Sequence, residues 1–185
     1  MPGSRVESLL AEIASLTDAE RRELFSRLGI VPRPTHPGQP TLLRDFSANT
    51  LQGPADYVLV FDGGSEGNPG RGYGSYAVMR GDTRDIKRIE FSGDMTNNEA
   101  EYSTLLRGLD DIQGRIERSS RSPEEFSIEV RGDSILVLNQ VSGEWKAKDD
   151  RMRHMRDSVR RALQRFKANR LRAQPREETV VLLGH

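Results

Sequence analysis

The 185-residue chain contains no cysteine. That absence excludes disulfides, thiolate zinc sites and a cysteine nucleophile. No apolar run approaches the ~18 residues that a membrane-spanning helix needs. The opening MPGSRVESLL has no signal-peptide core. Net charge is missing too, because 28 Lys+Arg balance 28 Asp+Glu. Bulk charge therefore points neither to nucleic acid nor to a membrane surface, and only its distribution is informative. These absences predict a soluble cytoplasmic protein with one domain of ordinary size and a small appendage. Any metal would be held by oxygen, with histidine as the other available ligand.

Three segments follow from what is present. Residues 1–30 read as a helical hairpin. Val6, Leu9, Leu10, Ile13 and Leu16 recur at helical spacing, Thr17-Asp-Ala-Glu20 has capping-box spacing, and Gly29 closes the second helix. So small a hairpin must dock on the main domain or on a partner, which raises self-association or another protein as its role. Residues 31–55 carry Pro32, Pro34, Pro37, Pro40 and Pro54 among few apolar residues, the composition of an extended linker. Residues 56–185 form the main domain.

That domain reads as α/β. YVLVFD (57–62) is apolar on both alternating sets, as a central strand covered on both faces must be. YGSYAVMR and IKRIEFSG follow as strands joined through Gly81-Asp82. TNNEAEYSTLLRGLDDIQGRI is a helix with Tyr102, Leu105, Leu106, Leu109 and Ile112 on one side. FSIEVRGD is a strand, SILVLNQV a short helix and 149–167 a longer one. A weak strand around 168–174 completes a mixed sheet with helices on its faces.

Asp62 ends the first strand and Asp133 ends a strand leading directly into a helix. If these strands are parallel neighbours, both carboxylates emerge at the carboxyl edge of the sheet, where α/β proteins place ligands. Two such acids repel unless a cation lies between them, and Mg²⁺ suits an all-oxygen site. Glu99 and Glu101 flank the apolar stripe of their helix, and geometry alone does not choose between them. Between residues 151 and 172 nine arginines and lysines face one acid, Asp157. That run is a solvated helix face or a phosphate-tracking surface.

DGGSEGNPGRGYGSY, TNNEAEY, GDS at 132–134 and LNQVSGEWKAK at 138–148 occur in this order. Together they resemble type 1 ribonuclease H, which cuts the RNA strand of an RNA–DNA hybrid, over about residues 56–178. The resemblance implies a five-stranded mixed sheet in the order 3-2-1-4-5 with its first three strands antiparallel. It also implies that Asp62, Glu101 and Asp133 bind two Mg²⁺ or Mn²⁺ ions, and that Glu99 is a surface residue. Gly63, Gly64 and the glycines after them would let backbone approach the ribose 2′-hydroxyls, which only RNA offers. Asn68 and Thr96 match a pocket for a DNA-strand phosphate, and Asn97 and Asn98 match groove-contacting asparagines. Trp145 with Lys146 matches a segment near the DNA strand, although a core anchor is the other reading of Trp145.

The resemblance breaks at the end of the chain. The family carries an asparagine-led helix with a fourth acid, whereas REETVVLLGH has Thr179 and Leu183 at those positions. His185 is the first functional candidate to replace that acid, through its imidazole or its terminal carboxylate. Glu177 and Glu178 are the other candidates. A hybrid-binding module that does not cut is the rival class of function.

Overall fold

A computed structural model of the chain describes residues 42–43, 51 and 53–184. The expected helical hairpin at 1–30 and the His185 candidate lie outside the described residues, as does most of the 31–55 segment.

Strands β1 (Tyr57–Gly67), β2 (Gly70–Arg80) and β3 (Thr83–Met95) form an antiparallel meander. The second turn falls at Gly81, whose φ of +54° suits glycine. Strands β4 (Ser127–Gly132) and β5 (Ala168–Ala173) add in parallel on the other side of β1. The order β3-β2-β1-β4-β5 is the expected one. A two-residue strand, Leu42–Leu43, pairs antiparallel with β5 and makes a sixth strand at that edge. It comes from the segment that composition marks as a linker, so part of that segment joins the sheet.

Among the described residues four α-helices pack with the sheet: α1 (Asn97–Arg118), α2 (Ile135–Ser142), α3 (Asp150–Gln164) and α4 (Arg176–Leu183). Leu59 and Phe61 of β1 and Ile128 and Val130 of β4 share the main core with α1, α2 and α3. Alternate residues of β1 face the other way. There Val60 packs with Ala77 and with Leu183 of α4. Both faces of the central strand are therefore covered, which explains why YVLVFD has no polar alternation.

Two glycines fix how closely α1 can lie on the sheet. A Cβ on Gly63 would come within 2.6 Å of the Ala100–Glu101 backbone, and one on Gly74 within 1.9 Å of Thr104 Oγ1. Neither site has room for a side chain.

The sheet face opposite the main core carries a buried charge. Glu129 of β4 is 1% exposed. It accepts hydrogen bonds from Arg131 and Arg170 and lies 3.8 Å from Arg172. Burial pushes its carboxyl up, but the Arg170 and Arg131 hydrogen bonds outweigh this and hold it below the usual range. Arg170 also donates to the carbonyls of Leu51 and Gly53, tying the approach to β1 onto the sheet. Glu129→Ala leaves three arginines without their shared acceptor, and should cost about 3 kcal/mol of stability in denaturant unfolding. A loss within experimental error would show that solvent compensates the arginines fully.

Candidate active site

The parallel pairing of β1 with β4 ends at Val60↔Arg131. Asp62 and Asp133 each lie two residues beyond that last pair, on adjacent chains leaving the same edge. Asp133 follows the end of β4, as expected. Asp62 differs, because β1 continues past it to Gly67, now paired only with β2. The carboxyl edge of the parallel pair is still where both side chains emerge.

Helix α1 brings the third acid. Glu101 sits one residue after Ala100, whose backbone lies against Gly63, so the close approach of helix to strand delivers its carboxylate to Asp62. Ser134, the residue after Asp133, caps α2 through Val137 N–H and donates its hydroxyl to Glu101 Oε2. Burial pushes the Glu101 carboxyl up to about 7. The Ser134 hydrogen bond opposes this, and the charges of Asp133 and Asp62 add to it. Three acids thus act on one another at one point.

Among the described residues Arg176, the first residue of α4, brings a cation to them. Its Nη1 lies 3.0 Å from Asp133 Oδ2 and 3.9 Å from Asp62 Oδ1. Among the described residues no group of three or more His, Cys, Asp or Glu side chains is arranged to hold a metal ion. The donor chemistry nonetheless fits a hard cation, since Asp62, Glu101 and Asp133 offer oxygen alone and Glu101 is destabilised as an anion by the other two.

Glu99 corrects the sequence expectation. It is 5% exposed rather than on the surface. Its carboxylate accepts from Thr96 N–H at 2.7 Å, closing a capping box, and pairs with Arg151 at 2.6 Å. The turn around it gathers the other polar candidates. Asn97 Oδ1 accepts from Ser65 N–H at 2.9 Å, and Asn68 Oδ1 accepts from Asn97 N–H at 3.1 Å. Asn68, Thr96 and Asn97 are therefore brought together, with Asn98 half-buried beside them. Trp145 is 45% exposed, which removes the core-anchor reading, and Lys146 is exposed next to it.

The glycine segment has internal causes as well. Gly63 admits α1, Gly64 lies under the Tyr73 ring, and Gly70 packs against the Glu66 carbonyl. Backbone approach to a ligand is not needed to explain them. At the chain end, Thr179 is buried and accepts from Gln174 Nε2 at 2.8 Å. Leu183 is 1% exposed in the second core. The tail packs on the domain by Leu183 with Leu182 beside it, while Val181 is 82% exposed.

The reverse transcriptase-like family model matches residues 61–181. The chain belongs to that family and carries a ribonuclease H-like domain. It is 34% identical over 110 residues to ribonuclease HI of Halobacterium salinarum, covering 57% of this chain and 50% of that protein. It is 41% identical over 96 residues to the bifunctional protein Rv2228c of Mycobacterium tuberculosis, covering 49% of this chain and 23% of that one. The chain thus spans half or less of the length of these two relatives. Among solved structures, RNase H1 of Halobacterium salinarum aligns with a TM-score of 0.55 at 31% identity, over 66% of this chain and 88% of that one. The RNase H domain of Rv2228c aligns at 0.57 and 29%, over 67% and 90%. LC11-RNase H1, solved with an RNA/DNA hybrid, shares the fold at a TM-score of 0.59 and 24% identity, over 68% and 90%.

Sequence reasoning on this ribonuclease H-like domain missed Ser134 and Arg176. Ser134 was findable as the capping residue of SILVLNQV; Arg176 carried no signal beyond its place in REET. The raised Glu101 pKa sets a pH dependence. Folded Glu101 holds its proton more tightly than the unfolded chain does, whose ordinary value is 4.5. Its contribution is therefore full below that value and is lost as pH rises towards about 7. Metal-free protein should lose on the order of 2–3 kcal/mol across that window. Glu101→Gln should flatten that part of the curve; an unchanged slope in chelator-treated samples would refute the assignment.

Proposed function

We propose that this chain is an endoribonuclease that hydrolyses the RNA strand of RNA–DNA hybrids, leaving 5′-phosphate and 3′-hydroxyl ends. The observation that carries this reading is the convergence of Asp62, Glu101 and Asp133 at the edge of the parallel β1–β4 pair. Those three would hold two Mg²⁺ or Mn²⁺ ions, which when bound supply an activated water for in-line attack and offset charge on the departing 3′ oxygen. The chain's own contribution is position. Strand β1 fixes Asp62, which is buried, and the Ser134 hydroxyl orients the half-buried Glu101. Asn68, Thr96, Asn97 and Asn98 present amides and a hydroxyl on the turn before α1, suited to sugar edges and a phosphate. Exposed Trp145 and Lys146 offer a stacking face and a cation to the DNA strand. Gly63 and Gly64 would contribute backbone groups. The proposal for His185, as metal ligand and catalytic group, rests on sequence alone.

A second reading is favoured by one observation. Leu183, at the position of the expected fourth acid, lies in the core and cannot bind metal. On that reading the domain holds a hybrid without cutting it. Labelled hybrid, duplex RNA and duplex DNA incubated in Mg²⁺ and then Mn²⁺ distinguish the two. Cleavage confined to the RNA of the hybrid is expected, and hybrid retained uncut in both metals would establish the binding module.

Conservative substitutions test the assignment of the acids. Asp62→Asn and Glu101→Gln should each lower the cleavage rate at least ~100-fold with hybrid binding retained, since each keeps shape and removes charge. Glu99→Gln should stay within a few-fold of the parent rate. Loss of cleavage in Glu99→Gln with Glu101→Gln active would reverse the assignment on α1.

A further inference from the structure

Arg176 is the feature of this centre that the motifs do not account for. It is the first residue of α4, and a helix N-terminus carries partial positive charge. A guanidinium is electrostatically misplaced there, whereas Glu177 and Glu178 beside it are well placed. The helix therefore does not explain where the Arg176 head lies; Asp62 and Asp133 do. One nitrogen reaches both acids, at 3.0 and 3.9 Å, and the side chain is 67% exposed. Such a contact is weak beside a buried bidentate pair, and the head has solvent to retreat into. The base of the arm is held firmly. Leu183 is buried against Val60 and Ala77, Arg88 donates to the Gly184 carbonyl at 2.8 Å, and Gln174 N–H bonds Gly132 O at 3.0 Å.

We propose that Arg176 is the resident counter-cation of the Asp62–Asp133 pair: it lies between them until a divalent ion displaces it, and so sets how much metal the centre needs. The inference rests on the metal-site reading above, and it gives Arg176 a positioning role. Without metal the guanidinium offsets the repulsion between the two carboxylates. Metal entry then requires breaking this contact as well as partly dehydrating the ion. Removing the guanidinium should make metal binding easier and the metal-free fold weaker, a pair of effects that a purely structural arginine would not produce.

Calorimetric titration of the full chain with Mg²⁺ and with Mn²⁺, without substrate, tests this. Arg176→Ala should bind roughly threefold tighter or more, the factor expected for losing one exposed ion-pair contact. Its metal-free melting temperature should fall, and saturating Mg²⁺ should raise that temperature more than it does in the parent. Arg176→Lys, which keeps the charge, should stay near the parent affinity. Arg172→Gln removes a different cation, one paired with Glu129, and controls for the general field. Equal tightening in Arg172→Gln and Arg176→Ala, or unchanged or weaker binding in Arg176→Ala, overturns the inference while leaving the metal site standing. Absence of metal binding in both parent and Arg176→Ala overturns the inference and the metal-site reading together.

Discussion

The close approach of helix α1 to strand β1 at Gly63 is the constraint on which the rest of the centre depends. The strand supplies Asp62 and the helix supplies Glu101, so their separation is set by how near two backbones can come. With a side chain at 63 the helix would stand off by the width of a methyl group, and the Glu101 carboxylate would move with it. Thr104 repeats the contact one turn further on, against Gly74 of β2. Two glycines on neighbouring strands thus seat one helix at two points, which fixes its tilt as well as its distance. Thr96 and Glu99 then fix where the helix begins, and that start carries Asn97 and Asn98.

Charge is handled in two different ways, on one face of the parallel strands and at their carboxyl edge. At Glu129 three arginines surround one carboxylate, and the group is held ionised. Such a cluster is complete in itself and suits a structural role, joining β4, β5 and the segment before β1. At the carboxyl edge the balance is reversed. Arg176, an exposed arginine, contacts two of the three acids, and the third, Glu101, is pushed up to about 7. Arg176 offsets part of that charge, and a proton on Glu101 offsets more. An arrangement that strains its own charges is the kind that accompanies a function.

Most of this fold is legible in the sequence because its strongest elements obey simple periodicities. YVLVFD announces a central strand, and the stripe on TNNEAEYSTLLRGLDDIQGRI announces a helix that covers it. The last strand is harder to read, since ANRLRA alternates arginine with apolar residues. Those arginines face Glu129, a partner 41 residues earlier in the case of Arg170, and no local pattern encodes so distant a pairing. The acids of the candidate site were legible as strand ends and as one flank of a helix, with the family pattern selecting Glu101 over Glu99. Glu99 was misplaced on the surface because its pairing with Arg151 depends on the fold of α3 against α1, although its capping box with Thr96 is local. The glycines were read as room for a ligand; Gly63 and Gly74 also accommodate the protein's own helix, Gly64 the Tyr73 ring and Gly70 the Glu66 carbonyl.

The end of the chain joins these strands of argument. Where the resemblance leads one to expect an acid, this sequence has Leu183, and the leucine is buried in one cluster with Val60 and Ala77. An acid there would face two apolar side chains on the central strands, at a cost of several kcal/mol for an unpaired buried charge. The helix is thus built as an anchor. Gly184 ends it in the left-handed region with φ +78°, and Arg88 of β3 bonds the carbonyl at that end. Anchoring the far end fixes the near end, where Arg176 stands above Asp62 and Asp133. The helix therefore brings a cation to the acids from its first residue and contributes packing from its last.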